Sequence, residues 1–215
     1  MPNHQYQPSM FEHKTHVLKL FEADVEYFPE FYSSDRSWVL YQHILEQTQW
    51  RQDRVTVYGK QHFAPRLSCW YGEPWMDYSY SKHTMKASAL TSLLLEIKAD
   101  IEVRTGDRFN SVLINYYRDG QDSNGWHSDD EPELGRNPVI ASLSLGAPRD
   151  FHMRHKADKA HSKKLALENG SLLMMRGLTQ SRWQHHIPKR ANAEGRINLT
   201  FRTIVDIKNR NGQAP

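Results

Sequence analysis

One cysteine, Cys69, stands alone among 215 residues. A disulfide framework and a thiolate zinc site both need several thiolates, so both are excluded. No run of about 18 apolar residues occurs, so no membrane-spanning helix is expected. The first ten residues, Met1 to Met10, are polar and lack the apolar stretch of a secretory signal. An intracellular setting is therefore expected, cytoplasmic in a bacterium and nuclear in a eukaryote. There is no internal repeat, low-complexity tract or flexible Gly/Ser linker, which favours one domain. Charge of one sign is also missing. Twenty-eight Lys and Arg face 25 Asp and Glu, for a net charge of +3. That balance permits a nucleic-acid partner without arguing for one, because local patches decide the matter. Hydrophobic residues at 38% and charged residues at 25% exclude a disordered chain. Histidine is plentiful, with 12 copies, and its placement relative to carboxylates becomes the question.

The N-terminal half reads as helical and irregular. Phe11, Val17, Leu18, Leu20, Phe21, Tyr27 and Phe28 mark an arm that packs against something. Over Tyr32–Trp50 the positions of Trp38, Leu40, Tyr41, Ile44 and Leu45 predict a helix, with Ser33 or Ser34 as its cap. Residues 54–60 alternate like a strand ending in a glycine turn, and residues 65–82 suggest loops and short strands. Ser88–Val103 predicts an amphipathic helix on Leu90, Leu93, Leu94 and Ile97, with Asp100 and Glu102 outside. After Gly106 the character changes. Phe109–Tyr117, Val139–Leu145, Phe151–His155, Lys164–Leu167, Ser171–Met175, Trp183–Ile187 and Arg196–Val205 are short β-favourable runs divided by turn residues. Such a series predicts a β-sandwich or barrel-like roll.

The chemistry is carried by scattered strings. His127-Ser128-Asp129 follows the glycine-bearing turn 119–125. In an extended segment residues i and i+2 share a face, so an imidazole and a carboxylate are presented together. Two histidines and one carboxylate on one side of a metal leave three open positions, the facial arrangement of non-haem Fe(II) oxygenases. The third ligand would come from Trp183-Gln184-His185-His186-Ile187-Pro188, where His185 and His186 are rivals. In Arg196-Ile197-Asn198-Leu199-Thr200-Phe201-Arg202 one strand face is apolar. The other carries Arg196, Asn198 and Arg202 and would point into a small barrel. Buried arginines need anions. A dicarboxylate offers one carboxylate to each, through bidentate charge-assisted hydrogen bonds. Asn115 and Tyr117 share a face of an earlier strand and can hydrogen-bond an anion beside the metal.

Asn115-Tyr116-Tyr117-x-x-Gly120, His127-Ser128-Asp129-Asp130-Glu131, His185 and the string from Arg196 to Arg202 together resemble the AlkB family of Fe(II)/2-oxoglutarate dioxygenases. The resemblance extends through Ala141–Phe151 and Gly170–Met175 and covers about residues 54–205. It implies an α+β fold with a mainly β core, a double-stranded β-helix (jelly-roll) with N-terminal helices and a nucleotide-recognition lid. On that basis the chain is a single domain over 1–215. The arm and first helix take 1–53, the lid and support helix 54–106, and the core 107–207. The resemblance further implies that His127, Asp129 and His185 hold Fe(II), His185 standing three residues before Pro188. Arg202 with Asn115 would face the 1-carboxylate end of 2-oxoglutarate and Arg196 with Tyr117 the 5-carboxylate, with Asn198 beside them.

The activity implied is oxidative demethylation of N-alkylated DNA bases such as 1-methyladenine and 3-methylcytosine, with 2-oxoglutarate and O2 consumed and succinate, CO2 and formaldehyde released. The partner is then DNA carrying alkylated bases, with RNA as the second candidate, no membrane, and a monomer as the default. Such lesions are cationic and cost less to extrude than normal bases. Asp130 and Glu131 are candidates to favour the cation. Tyr80 would stack the base against His127, with Tyr78 as neighbour or core residue. Tyr58, in a hairpin turned at Gly59, would fill the gap left in a duplex, with Arg66 nearby. The segment from Arg149 to Lys164 holds six cationic side chains and would track a phosphate backbone. Three alternatives stand beside this reading: the same fold acting on RNA, a protein or a lipid; a non-catalytic binder of damaged DNA; and a metal-bearing β-roll isomerase or storage protein, for which Arg196 and Arg202 would be superfluous.

Overall fold

The computed structural model describes residues 15–57, 59–73, 76, 78–80, 83–85 and 87–205. The arm forms a hairpin, β1 (His16–Leu20) and β2 (Ala23–Phe28). Helix α1 (Ser34–Gln47) follows. The Ser33 hydroxyl caps it by accepting from the Arg36 N–H at 3.3 Å, and Leu40, Tyr41 and Ile44 form its buried stripe. The helix is shorter than Tyr32–Trp50 because Thr48 is already extended. Strands β3 (Arg54–Val57) and β4 (Lys60–Phe63) pair as a hairpin turned at Gly59, whose φ of 76° suits a residue without Cβ. β5 (Leu67–Tyr71) and the short pair β6 (Tyr78–Tyr80) and β7 (His83–Met85) follow.

Helix α2 (Ser92–Thr105) starts later than the pattern predicts, at a Thr91 cap, and ends at Gly106 in the left-handed region. Glu102, expected outside, is buried. Its carboxylate accepts from Lys98 Nζ and from the Phe109 N–H, each at 2.8 Å, so the burial cost is offset. The Phe109 donor lies beyond the helix, which is why helical periodicity could not reveal it. Asp100 is exposed as expected and accepts from the Tyr32 hydroxyl at 2.7 Å.

The core strands are β8 (Ser111–Tyr117), β9 (Asn124–His127), β10 (Ile140–Gly146), β11 (Arg149–His155), β12 (Ser162–Leu167) and β13 (Leu172–Arg176). After the four-residue helix α3 (Thr179–Arg182) come β14 (Trp183–Ile187) and β15 (Arg196–Arg202). One sheet has seven strands in the order β1-β2-β13-β10-β15-β8-β5, the other four in the order β12-β11-β14-β9. All named pairs are antiparallel. From β8 to β15 the chain winds back and forth between the two sheets, which is a jelly roll. The larger sheet also takes in β1 and β2 from the arm and β5 from the segment assigned to the lid.

The alternation within β15 orients the core. Ile197, Leu199 and Phe201 pack outward with Val112, Ile114, Leu143 and Leu145 against the buried stripes of α1 and α2. Full burial of each such side chain stabilises by about 1.5–3 kcal/mol. A second cluster, including Leu113, Phe151, Met153, Leu173 and Ile187, fills the space between the sheets. The even-numbered positions of β15 face that space, so Arg196 and Arg202 lie inside the roll, both almost fully buried.

Candidate metal centre and anion pocket

Register brings the metal-ligand candidates together. His127 ends β9 and stands directly opposite His185 on β14. Asp129 follows two residues later. The ligand atoms of His127, Asp129 and His185 all lie within 4.8 Å of one another. His127 Nδ1 is 2.8 Å from the Gly125 carbonyl and must donate to it, which leaves Nε2 as the bare nitrogen. Asn124 Nδ2 donates to that Nε2 at 3.2 Å. His185 Nε2 is 3.6 Å from Asp129 Oδ2. The rival, His186, projects to the other face. It stacks on Trp126 with ring centroids 3.9 Å apart and lies 3.1 Å from His152.

Charge in this cluster suits a metal. Burial, reinforced by the neighbouring His127, pushes the His185 pKa down to about 3, and burial also lowers that of His127. Both imidazoles are therefore neutral and able to ligate. Burial alone would raise the Asp129 pKa, but the Arg202 guanidinium outweighs it and holds the carboxylate ionised. The Arg202 guanidinium hydrogen-bonds Asp129 Oδ1 and leaves Oδ2 toward His185. Two further contacts fix this loop: the Asp129 N–H donates to Gln180 Oε1 at 2.9 Å, and the Ser128 hydroxyl to the Trp183 carbonyl at 2.8 Å. Two neutral imidazoles and one carboxylate on one side of the site match an octahedral divalent ion with open positions.

From this cluster a cavity extends past Asn115, Tyr117 and Asn198 to Arg196. Arg196 is buried, and its Nη2 donates to Ser144 Oγ at 2.9 Å. Neither its Nε nor its Nη1 has a hydrogen-bond partner among the described residues. Burial and the nearby Arg149 depress its pKa to about 10. A buried guanidinium with two idle donors is costly unless an anion meets it. A carboxylate from a small diacid fits that need, so the residues present suit 2-oxoglutarate beside Fe(II). Two polar residues of the pocket, Asn198 and Asn115, are already hydrogen-bonded within the protein. Asn198 Nδ2 donates to Ser142 Oγ at 2.9 Å and to the Leu143 carbonyl at 3.0 Å. Asn115 Oδ1 accepts from Arg66 Nε at 3.0 Å.

Several expectations need revision. Arg202, expected to face a co-substrate carboxylate, lines the cavity and also hydrogen-bonds the ligand Asp129, a contact the sequence did not suggest. Asp130 and Glu131 do not line the cavity. Asp130 is an exposed partner of Lys156 Nζ at 2.9 Å, and Glu131 precedes the 3-10 turn Pro132–Leu134. Arg149, counted in the basic segment, is 1% exposed and so cannot meet a phosphate backbone, whereas Lys159, Lys163 and Lys164 are exposed. Tyr58 lies outside the described residues. Tyr78 and Tyr80 sit on β6. Gln180, Ser128 and Asn124 were not singled out from the sequence. Gln180 had no signal, since α3 brings it to Asp129 from far along the chain.

A family model described as the 2OG-Fe(II) oxygenase superfamily matches residues 24–202. Alpha-ketoglutarate-dependent dioxygenase alkB homolog 3 of Rattus norvegicus is 43% identical over 180 residues, which are 79% of this chain and 60% of that protein. DNA oxidative demethylase ALKBH2 of Homo sapiens is 42% identical over 160 residues, 71% of this chain and 61% of the relative. The Mus musculus protein of the same name is 39% identical over 163 residues, 72% and 68% respectively. The chain thus spans 60% of the length of the alkB homolog 3 relative. The solved structure of OsALKBH1 shares the fold, with a TM-score of 0.64 over 88% of this chain and 100% of that one at 16% identity.

Proposed function

We propose, on the ground that this chain belongs to the AlkB family within the 2OG-Fe(II) oxygenase superfamily, that it removes N-linked methyl groups from DNA bases by oxidation. The observation that carries this reading is the joint presence, on one cavity, of a His-Asp-His cluster and a buried arginine with idle donors. Bound Fe(II) supplies the oxygen-activating chemistry, which spends 2-oxoglutarate and O2, yields succinate and CO2, and hydroxylates a methyl group that leaves as formaldehyde. The chain's own residues bind and orient. His127, Asp129 and His185 would hold the ion through His127 Nε2, Asp129 Oδ2 and His185 Nε2. Arg202 keeps the Asp129 carboxylate ionised and aimed. Arg196, with Tyr117, Asn115 and Asn198 around it, receives 2-oxoglutarate. Phe151 and Leu113 line the same cavity and keep water out.

DNA as the substrate draws support from the ALKBH2 relatives, which are DNA oxidative demethylases by name. Within this proposal Tyr80 stacks the extruded base, Tyr78 flanks it and Tyr58 fills the gap in a duplex. Asp130, with Glu131 beside it, would act on a cationic base only by leaving Lys156. The test is direct. The protein is loaded anaerobically with Fe(II), 2-oxoglutarate and an oligonucleotide containing 1-methyladenine; oxygen is admitted, and succinate and formaldehyde are followed. Equal amounts of both support the proposal. Succinate without formaldehyde would point to another substrate, and neither product from an iron-loaded protein would remove the oxygenase reading.

A further inference from the structure

Arg149 opens β11 yet is among the most buried side chains of the molecule. Its guanidinium donates to three backbone carbonyls on two loops. Nη1 reaches Asp119 at 3.2 Å, and Nη2 reaches Asp122 at 2.8 Å and Pro188 at 2.6 Å. The first two carbonyls belong to the turn that leads into β9, the strand of His127. The third follows β14, the strand of His185. The same loops meet at Gly120, where a Cβ would stand 2.0 Å from the Arg190 carbonyl oxygen, so they close tightly over this end of the roll.

Arg149 also flanks the pocket electrostatically. Its guanidinium carbon is 5.6 Å from the centre of the Tyr117 ring, and that of Arg196 is 5.3 Å from the same ring. Two buried cations thus share one phenol. Neither is hydrogen-bonded to a carboxylate among the described residues; Asp122, whose charge acts on Arg149 from a distance, is clamped by Arg118 at 2.7 and 2.8 Å. A buried guanidinium with idle donors, Arg196, beside a second buried guanidinium favours an anion.

We propose that Arg149 is a positioning residue of the co-substrate pocket. It ties the two ligand-bearing strands together at the Arg196 end and, through Tyr117, places a second positive charge behind the distal carboxylate of 2-oxoglutarate. This rests on the reading that the cavity takes 2-oxoglutarate. Lysine cannot replace it, since one ammonium on a flexible stem cannot hold three carbonyls in the plane of a fork. The pocket therefore selects a diacid by two arginines, of which only Arg196 touches it.

The test uses the full chain loaded with Mn(II), titrated calorimetrically with 2-oxoglutarate and with oxalate. Oxalate chelates a metal but has no distal carboxylate. Arg149→Met is expected to weaken 2-oxoglutarate binding about tenfold and oxalate binding less than about twofold. Arg149→Lys, which keeps the charge and loses the fork, should weaken 2-oxoglutarate about threefold with oxalate unchanged. Equal losses for both ligands, or unchanged affinity for 2-oxoglutarate, overturns the inference; if the methionine variant does not fold, the lysine variant decides by the same ratio. Unmodified protein that binds oxalate but not 2-oxoglutarate would instead overturn the co-substrate reading itself.

Discussion

At the Arg202 end of β15 the guanidinium meets a carboxylate, Asp129, inside the protein; at the Arg196 end it meets a serine hydroxyl and the face of a tyrosine. Both ends belong to one strand face, are equally buried and are separated only by Asn198 and Thr200 on that face. At the first end the Gly125 carbonyl fixes the tautomer of His127 and the Arg202 guanidinium fixes the charge of Asp129. At the second, Arg196 has no hydrogen-bonded carboxylate among the described residues and two idle donors. The contrast assigns the roles, since an end that is already neutralised positions a metal and an end that is not receives an anion.

The sharpest way to break the finished end is Asp129→Ala. It removes a ligand and strands Arg202 as a buried cation, so metal affinity should fall more than about 100-fold and turnover with it. Calorimetry with Mn(II) reads this, and retained affinity would mean that the ion sits elsewhere. At the unfinished end, Arg196→Met should weaken 2-oxoglutarate about 10- to 100-fold in the same assay. The ligand-free variant should be at least as heat-stable as the unmodified protein, because an uncompensated buried cation is gone. A fall in melting temperature would show that Arg196 is already neutralised within the fold.

The metal-free protein offers a pH version of the comparison. His185 stays neutral in the folded chain down to about pH 3, against an ordinary value of 6.5. Between those values the unfolded chain binds a proton that the folded chain refuses. Stability is therefore complete above 6.5 and declines as pH drops through that window. Melting temperature should fall from pH 7 to pH 4.5, and His185→Gln should flatten the decline; an unchanged slope would show that other groups govern it. The smallest effect is expected outside the cavity. Lys156→Ala breaks an exposed ion pair with Asp130 and should change stability by less than about 1 kcal/mol in denaturant unfolding. A larger loss would mean that the pair supports the ligand loop more than its exposure suggests.

What was legible in the sequence follows from the range of the physics involved. Strand alternation is local, so the inward face of β15 could be read directly; His127 and Asp129 do converge, but Asp129 lies in a bend past the end of β9 rather than on its face. His185 and His186 are adjacent on one strand and face opposite ways, so the residues alone left them as rivals; the register with His127 separates them. Burial is not local. Arg149 and Glu102 carry charge and so read as surface, but each is held by backbone groups that the fold brings from elsewhere. The same reason hid the joining of β1, β2 and β5 to the larger sheet, since the hydrogen bonds of an edge are made with partners far along the chain.

A crystal structure of the protein with Mn(II) and 2-oxoglutarate would read both ends of β15 at once. The ion is expected on His127 Nε2, Asp129 Oδ2 and His185 Nε2, with the distal carboxylate on Arg196 Nε and Nη1. An ion bound through other side chains, or a diacid that leaves those two nitrogens untouched, would contradict that arrangement.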